Sequence, residues 1–560
     1  MSRYDSRHSM PRSRSRLRPG GAPASPLMDS YGRRSRRVTG GSGGQFSSGR
    51  GAAPGIAVAL LLVLLLVAAA GWWVLSRPVA FAVSATPADA KIAVVAAPAG
   101  VATPKPAPGA LKVSGVKPGM YQVTVSRTGY ATQTVSVEAK RFKEARAQVA
   151  LQPLPQRINI TATPRSAAIT VVGANGRQLA SGKGSLSANL PTQPVRVQVT
   201  AAGKNTFSRD LTLDRTTSLV VSLDPKGQLV HGLGVIETAG APKGVAMTPD
   251  GSEAWATILN GPPSIQIFNP RTGAHVGDVD MGKYGAVEVV FNRAGTKAYA
   301  SQMETAKVFE IDVKTRKVLR GFKTESAWTK VIALSPDEKT LYAANWSGND
   351  VSIIDVKSGK LTKRVPVAKT PRGLWPTADG KSLYVGSFGI GWLEKIDLAT
   401  YEVKAVFKGG GAMRHLVADE TTSKLYTSDM AKDCVWITDM KTGKTRRFAK
   451  VGHKPNTIAL SPDGHTLFVS NRGENNAVSY YLIGPEWGSI MLIDTSNGKM
   501  LDGIVGGNQC TALGISADGK LLVFSDFLDN RLRVYEVPDY ATLAAGHGGR
   551  SATLAKDVVK

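Results

Sequence analysis

The chain has 560 residues, of which 42% are hydrophobic and 20% charged, and its formal net charge is +28. That length allows several domains and a sizeable core. Two cysteines exclude a disulfide framework and a thiolate zinc cluster, and 59 glycines among short alternating runs of Val, Ile, Thr and Tyr indicate mostly β-structure with many turns.

Residues 1–53 carry eleven Arg and two Asp, or +9, so the remainder carries 28 − 9 = +19. The segment is Arg, Ser, Gly and Pro with few apolar residues, and such a composition predicts a disordered tail. Its arginines precede residues 55–75, GIAVALLLVLLLVAAAGWWVL, 21 residues without a charge. A helix of that length, at about 1.5 Å per residue, spans roughly 30 Å of hydrocarbon. Trp72 and Trp73 stand at its end, where indoles favour the interface, and Arg77 and Pro78 stop it. We therefore expect a transmembrane helix over 54–76, the tail in the cytoplasm and everything after Arg77 outside it, in the periplasm or at the cell surface. The alternative, a cleaved signal peptide, fits less well because the apolar run exceeds a typical signal core of about 7–15 residues. The tail's arginines suit orientation; contact with anionic lipid or nucleic acid is the alternative there, and no nucleic acid is expected outside.

An internal repeat follows. Residues 84–95 read SATPADAKIAVV and residues 161–172 read TATPRSAAITVV. Each leads to an alternating strand pair about a glycine, Gly129 or Gly203, which predicts hairpins. Thr86-Pro87, Lys117-Pro118-Gly119 with Tyr121, and Gly129-Tyr130 make the first copy, 79–153, resemble a PEGA domain, a small β-sandwich of bacterial envelope proteins. The second copy, 156–226, departs from that pattern with Gly203-Lys204 and Leu190-Pro191-Thr192. The resemblance implies spacer modules without chemistry.

From about residue 228 a period near 42 residues appears, the length of a four-stranded propeller blade. Its first turn recurs at Gly251, Gly295, Glu338, Gly380, Thr422, Gly464 and Gly519, and a third-strand aspartate at Asp312, Asp355, Asp397, Asp439 and Asp494. The last repeat has three strands, and the orphan strand 229–238 supplies a fourth, closing a ring without exposed edges. The predicted fold is therefore all-β: a seven-bladed β-propeller over 228–540, preceded by two small β-sandwich modules, with 541–560 as a flexible tail. Cys434 and Cys510 fall on non-adjacent blades and are expected as free buried thiols. The motifs SPDG (461–464), TLFVSN (466–471) and ALSPDEKTLYAAN (333–345) resemble YVTN-type propeller repeats of bacterial surface proteins.

Counting back from the first turns aligns the starts of the seven inner strands. One position holds Lys243, Ala286, Lys330, Arg372, Arg414, Asn456 and Thr511, with His415 beside Arg414. Four cations around one axis focus positive potential on an anion. Loops at the same end carry Trp346, Phe388, Arg472 and Phe527, and an insertion at 472–489 adds Tyr480, Tyr481 and Trp487. Cations among aromatics suit an acidic glycan, a cell-wall polymer or a partner protein's loop.

No HExxH, CxxC, EF-hand, P-loop or GxSxG pattern occurs, and no cofactor is expected. Some seven-bladed relatives are lactonases, which hold a metal with carboxylates and Asn in the channel. Lys and Arg at that place repel a metal, and only Asn456 and nearby Glu288 match such a ligand set. The expected function is an anchored, non-catalytic envelope protein that binds an anionic ligand or a protein partner. A lactonase-like or quinoprotein-like enzyme and a scaffold of an envelope complex are the alternatives.

Overall fold

A computed structural model of the chain describes residues 63–68, 71–72, 79–141 and 143–560. The expected tail at 1–53 and most of the expected span at 54–76 lie outside these residues. Residues 63–68 are helical, with Leu64 and Leu66 exposed. Among the described residues no helix is long and apolar enough to cross a membrane.

Beyond residue 78 the regular secondary structure of the described chain is β-strand apart from two short helices near its end. Val79–Thr86 pairs antiparallel with Ala110–Val116 and parallel with Ala145–Ala150. A second sheet runs in the order Ala107–Pro108, Lys91–Ala96, Gly119–Ser126, Gln133–Ala139. Period-two alternation sends Phe81 and Val83 from one sheet, and Ile92, Tyr121, Val123 and Val125 from the other, into one buried cluster. The Phe81 and Tyr121 rings lie 4.9 Å apart within it. The second copy repeats the plan: Pro155–Thr163 pairs parallel with Thr217–Ser222, and Ile158, Ile160, Ile169, Val195 and Val197 form the core.

Six four-stranded antiparallel sheets follow, with first strands Pro242–Met247, Val289–Phe291, Thr329–Leu334, Pro371–Pro376, Met413–Asp419 and Pro455–Leu460. A further run is built from Cys510–Ile515, Leu521–Asp526 and Arg531–Glu536, and His231–Glu237 pairs with the last of these from the other end of the chain. First strands of successive sheets lie side by side, and Cys510–Ile515 lies beside Pro242–Met247, so the series returns on itself. His231–Glu237 also touches Thr217–Ser222 at Val220, which joins the second module to this array in one continuous sheet.

Turn chemistry explains the period. Gly251, Gly295, Gly380, Gly464 and Gly519 all have φ between 65° and 75°, where a Cβ is disfavoured. Glu338 takes the same conformation at 59°, whereas in the fifth sheet Ser423 carries it instead of Thr422. The third-strand aspartates cap the next turn: Asp355 accepts from Ser358 N at 2.7 Å and Asp439 from Thr442 N at 2.7 Å.

The segment 541–560, expected as a flexible tail, is folded. Asp539 caps the helix Tyr540–Ala545 by accepting from Thr542 N, and Leu543 enters the core beside Phe468 and Leu501. Leu554, in the helix Leu554–Asp557, fills the space above Gly503, where a Cβ would lie 2.6 Å from its Cδ2. Asp502, fully buried, accepts from Leu229 N (2.7 Å), Val230 N (3.0 Å) and Arg550 N (3.1 Å), tying both ends of the array to one carboxylate. Two leucines and one buried acceptor are too sparse a pattern for periodicity to reveal.

Candidate functional site

The aligned position at the start of the inner strands has a local cause. In each of six first strands the register with the second strand shifts at that point: between Pro242 and Gly244, Thr329 and Ile332, Pro371 and Gly373, Met413 and Leu416, Pro455 and Ile458, and Cys510 and Leu513. Lys243, Lys330, Arg372, Arg414, Asn456 and Thr511 therefore sit in β-bulges, which re-aim side chains out of the pleat. Two residues earlier, Ala241, Trp328, Thr370, Lys454 and Gln509 have φ from 54° to 63°. That left-handed step is uncommon for residues with a Cβ, and here it recurs in five repeats.

Buried hydroxyls fix these strands to one another. Thr257 Oγ1 donates to Val287 O (3.0 Å), Ser428 Oγ to Asn456 O (2.7 Å) and Ser470 Oγ to Thr511 O (3.1 Å), each from the second strand of one sheet to the first strand of the next or, for Val287, to the residues leading into it. Ser301 Oγ does the same to Lys330 O. The ring residues are thus held from behind by sheet-to-sheet bonds.

Arg372, Arg414 and Arg472 are only 6–7% exposed, and Asn456 is 2% exposed. Arg414 Nε donates to Asn456 Oδ1, and Arg472 Nη2 donates to Gln509 Oε1. Lys330 Nζ lies 3.9 Å from the Trp346 ring centroid and 5.4 Å from that of Trp328. Lys243 Nζ lies 4.5 Å from the Phe527 ring. Phe388 packs on Trp346 at 4.9 Å. The Arg472 guanidinium stands 5.3 Å from the Tyr480 ring, Tyr481 packs on Tyr480 at 4.1 Å, and Tyr481 reaches Phe527 at 6.3 Å.

Burial dominates the electrostatics. It pulls the Lys330 ammonium down to about 6, and the Arg372 and Arg414 charges push it the same way. Burial also lowers Lys243 strongly, with Arg472, Arg414, Arg372 and Lys330 adding repulsion. Burial, then Arg372 and Arg414, hold His415 neutral, down to about 3, and its Nδ1 accepts from Ile458 N at 3.5 Å. Glu288 is raised by burial, while Arg372, Arg414 and Lys243 draw it back. Five basic side chains therefore share one electrostatic neighbourhood, in which Glu288 acts on Arg372, Arg414 and Lys243, and Glu304 on Lys330. Among the described residues none of the five forms a salt bridge.

The structure thus brings Lys243, Lys330, Arg372, Arg414, His415, Asn456, Arg472, Trp346, Phe388, Tyr480, Tyr481 and Phe527 to one end of the array. Trp487 is the exception. Its N donates to Val558 O (2.7 Å), its ring takes Lys560 Nζ at 4.5 Å, and it serves to fasten the insertion to the C-terminal segment. Gln509 was not legible as a site residue, yet it orients Arg472 and donates to Tyr480 O. Its place two residues before an aligned bulge was the available signal.

No protein-family description matches the chain. A curated relative, Antigen Lp49 of Leptospira interrogans serogroup Icterohaemorrhagiae serovar copenhageni (strain Fiocruz L1-130), is 34% identical over 261 residues. The match covers 45% of this chain and 57% of that protein, so the chain spans little more than half the length of its relative. Among solved structures, Kuenenia stuttgartiensis hydrazine synthase aligns with a TM-score of 0.47 and 18% identity, over 54% of this chain and 97% of that one.

Proposed function

We propose that the chain is a membrane-anchored bacterial envelope protein whose residues 228–540 form a seven-bladed propeller that binds an anionic ligand at the cationic end of its ring. One observation carries the reading: three buried arginines, Arg372, Arg414 and Arg472, gather with the partly buried Lys243 and Lys330 at and beside the aligned bulges, Glu288 acts on three of them without a direct ion pair, and among the described residues none of the five forms a salt bridge. Like charges gathered away from water are costly to fold, and an anion at the centre offsets that cost. The two modules at 79–153 and 156–226 act as PEGA-like spacers between membrane and propeller, with the Arg-rich tail in the cytoplasm. The 34% identity to an antigen of a bacterium supports an envelope setting. The role is binding rather than catalysis.

The reading is tested by binding of the full chain, in detergent, to acidic envelope polymers across a salt titration. Binding should fall steeply with salt and vanish when Lys243, Lys330, Arg372 and Arg414 are all changed to Ala. Equal binding by both proteins would refute it. A second reading, a scaffold for a protein partner, is favoured by the apolar tip of the insertion, where Val478 is 86% and Ile483 59% exposed. Salt-insensitive capture of a single envelope protein, lost when Val478 and Ile483 become Ser, would select that reading.

A further inference from the structure

Resting on the anion-receptor reading, we propose that the ring encloses a compact oxyanion, a phosphate, sulfate or carboxylate group, between Arg372, Asn456 and Arg472 beneath Tyr480. An extended polymer lying across the face does not fit these observations, because the recognising atoms are internal.

Three nitrogens define the place. Among the described residues Arg372 Nη1, Asn456 Nδ2 and Arg472 Nε are buried and have no hydrogen-bond partner within the chain. Buried polar groups in folded proteins are nearly always paired; Asn471 Oδ1, beside Arg472 in the chain, is also unpaired, but the three nitrogens belong to two aligned bulges and the loop next to them, and they call for an occupant. All three are donors, so the missing group is an acceptor. The assignment of the Asn456 amide follows from its neighbour: a guanidinium only donates, so Oδ1 faces Arg414 and Nδ2 is left for the ring. Arg472 is treated in the same way, since Gln509 takes one guanidinium nitrogen and leaves Nε available. Guanidinium edges match the geometry of carboxylate, phosphate and sulfate oxygens, and buried charge-assisted bonds of this kind are strong.

The roof limits what can enter. Gln509 donates to Tyr480 O, the Tyr480 ring covers Arg472, and Tyr481 continues the cover to Phe527, which in turn covers Lys243. The outer edge of the insertion is pinned by His453 Nδ1 to Glu486 at 2.8 Å and by Trp487 N to Val558 O at 2.7 Å. Only a single anionic group, free or at the tip of a larger molecule, fits beneath such a cover.

The experiment uses the full chain in detergent with sodium phosphate, sodium sulfate, and an acidic glycan as monomer, short oligomer and polymer, each against sodium chloride of equal ionic strength. Binding is read by calorimetry and by the shift in unfolding temperature. The expected result is saturable binding of phosphate or sulfate, or of the glycan monomer with no gain from added length. Arg372→Lys, which keeps the charge and loses the fork, should weaken it by roughly tenfold or more. Asn456→Ala, which leaves every charge in place, should do the same and guards against a folding defect in the first variant. If only the long polymer binds, in a manner sensitive to Arg372, the compact-oxyanion inference fails while the receptor reading survives. If nothing binds beyond the chloride control, both fail. An unchanged affinity in both variants overturns the assignment of the three nitrogens.

Discussion

Lys330 gives the ring a measurable signature without any ligand. Its ammonium is held at about 6, against 10.5 for an ordinary lysine, first by burial and then by Arg372 and Arg414, with Glu304 opposing. From about pH 6.5 to about pH 9 the folded chain carries Lys330 mostly neutral while the unfolded chain carries it protonated, so unfolding takes up close to one proton. Stability therefore rises with pH across this window, and the slope ends near pH 6, where the folded lysine also charges. At about 1.36 kcal/mol per pH unit the limit over about 2.5 units is roughly 3.4 kcal/mol. Trp346 and Trp328 stabilise a charged head against their faces, which brings the expected gain to about 2 kcal/mol. Lys243, also lowered by burial, adds in the same direction. His453, raised by Glu486, adds in the opposite one, because its contribution is lost as pH rises through its folded value. The difference between wild type and Lys330→Met isolates the lysine. Urea unfolding of both at the two pH values should give a wild-type gain that exceeds the variant's by about 2 kcal/mol. Parallel pH dependences would refute the reasoning.

Three further outcomes follow from the same packing. Asp502→Ala leaves three N–H groups, two of them buried, without an acceptor, so it should cost about 3 kcal/mol in denaturant unfolding and expose the 541–560 segment to limited proteolysis. Burial raises the Cys434 thiol to about 11 and Cys510 well above its ordinary value, so native-state thiol labelling should be slow at both and complete only on unfolding. Glu486→Gln should return the His453 titration, followed by NMR, toward 6.5, since the hydrogen bond His453 donates to the Glu486 carboxylate is the largest cause of its rise.

The sequence made the β-repeats legible because each turn demands a backbone conformation that few residues adopt: Gly251, Gly295, Gly380, Gly464 and Gly519 spell the period. The pairing of 231–237 with 531–536 was likewise legible, since a three-stranded last repeat leaves a strand edge that must be covered. The aligned cations were found by counting from those turns. What lay beyond counting was their setting. A β-bulge leaves no mark in composition, so the re-aiming of Lys243 and Arg372 was invisible until the register was seen. Trp487 shares one insertion with Tyr480 and Tyr481, yet one end of that loop covers the ring and the other meets Val558 and Lys560. The fold of 541–560 rests on single leucines and Asp502, long-range contacts that a local pattern does not contain.

Occupancy of the ring by an anion is tested most directly by anomalous scattering from crystals of the full chain grown with selenate. The expected result is a selenium peak placed so that the selenate oxygens accept from Arg372 Nη1, Asn456 Nδ2 and Arg472 Nε, absent in Arg372→Lys crystals. A ring filled only with water, and selenate bound elsewhere or nowhere, would contradict it.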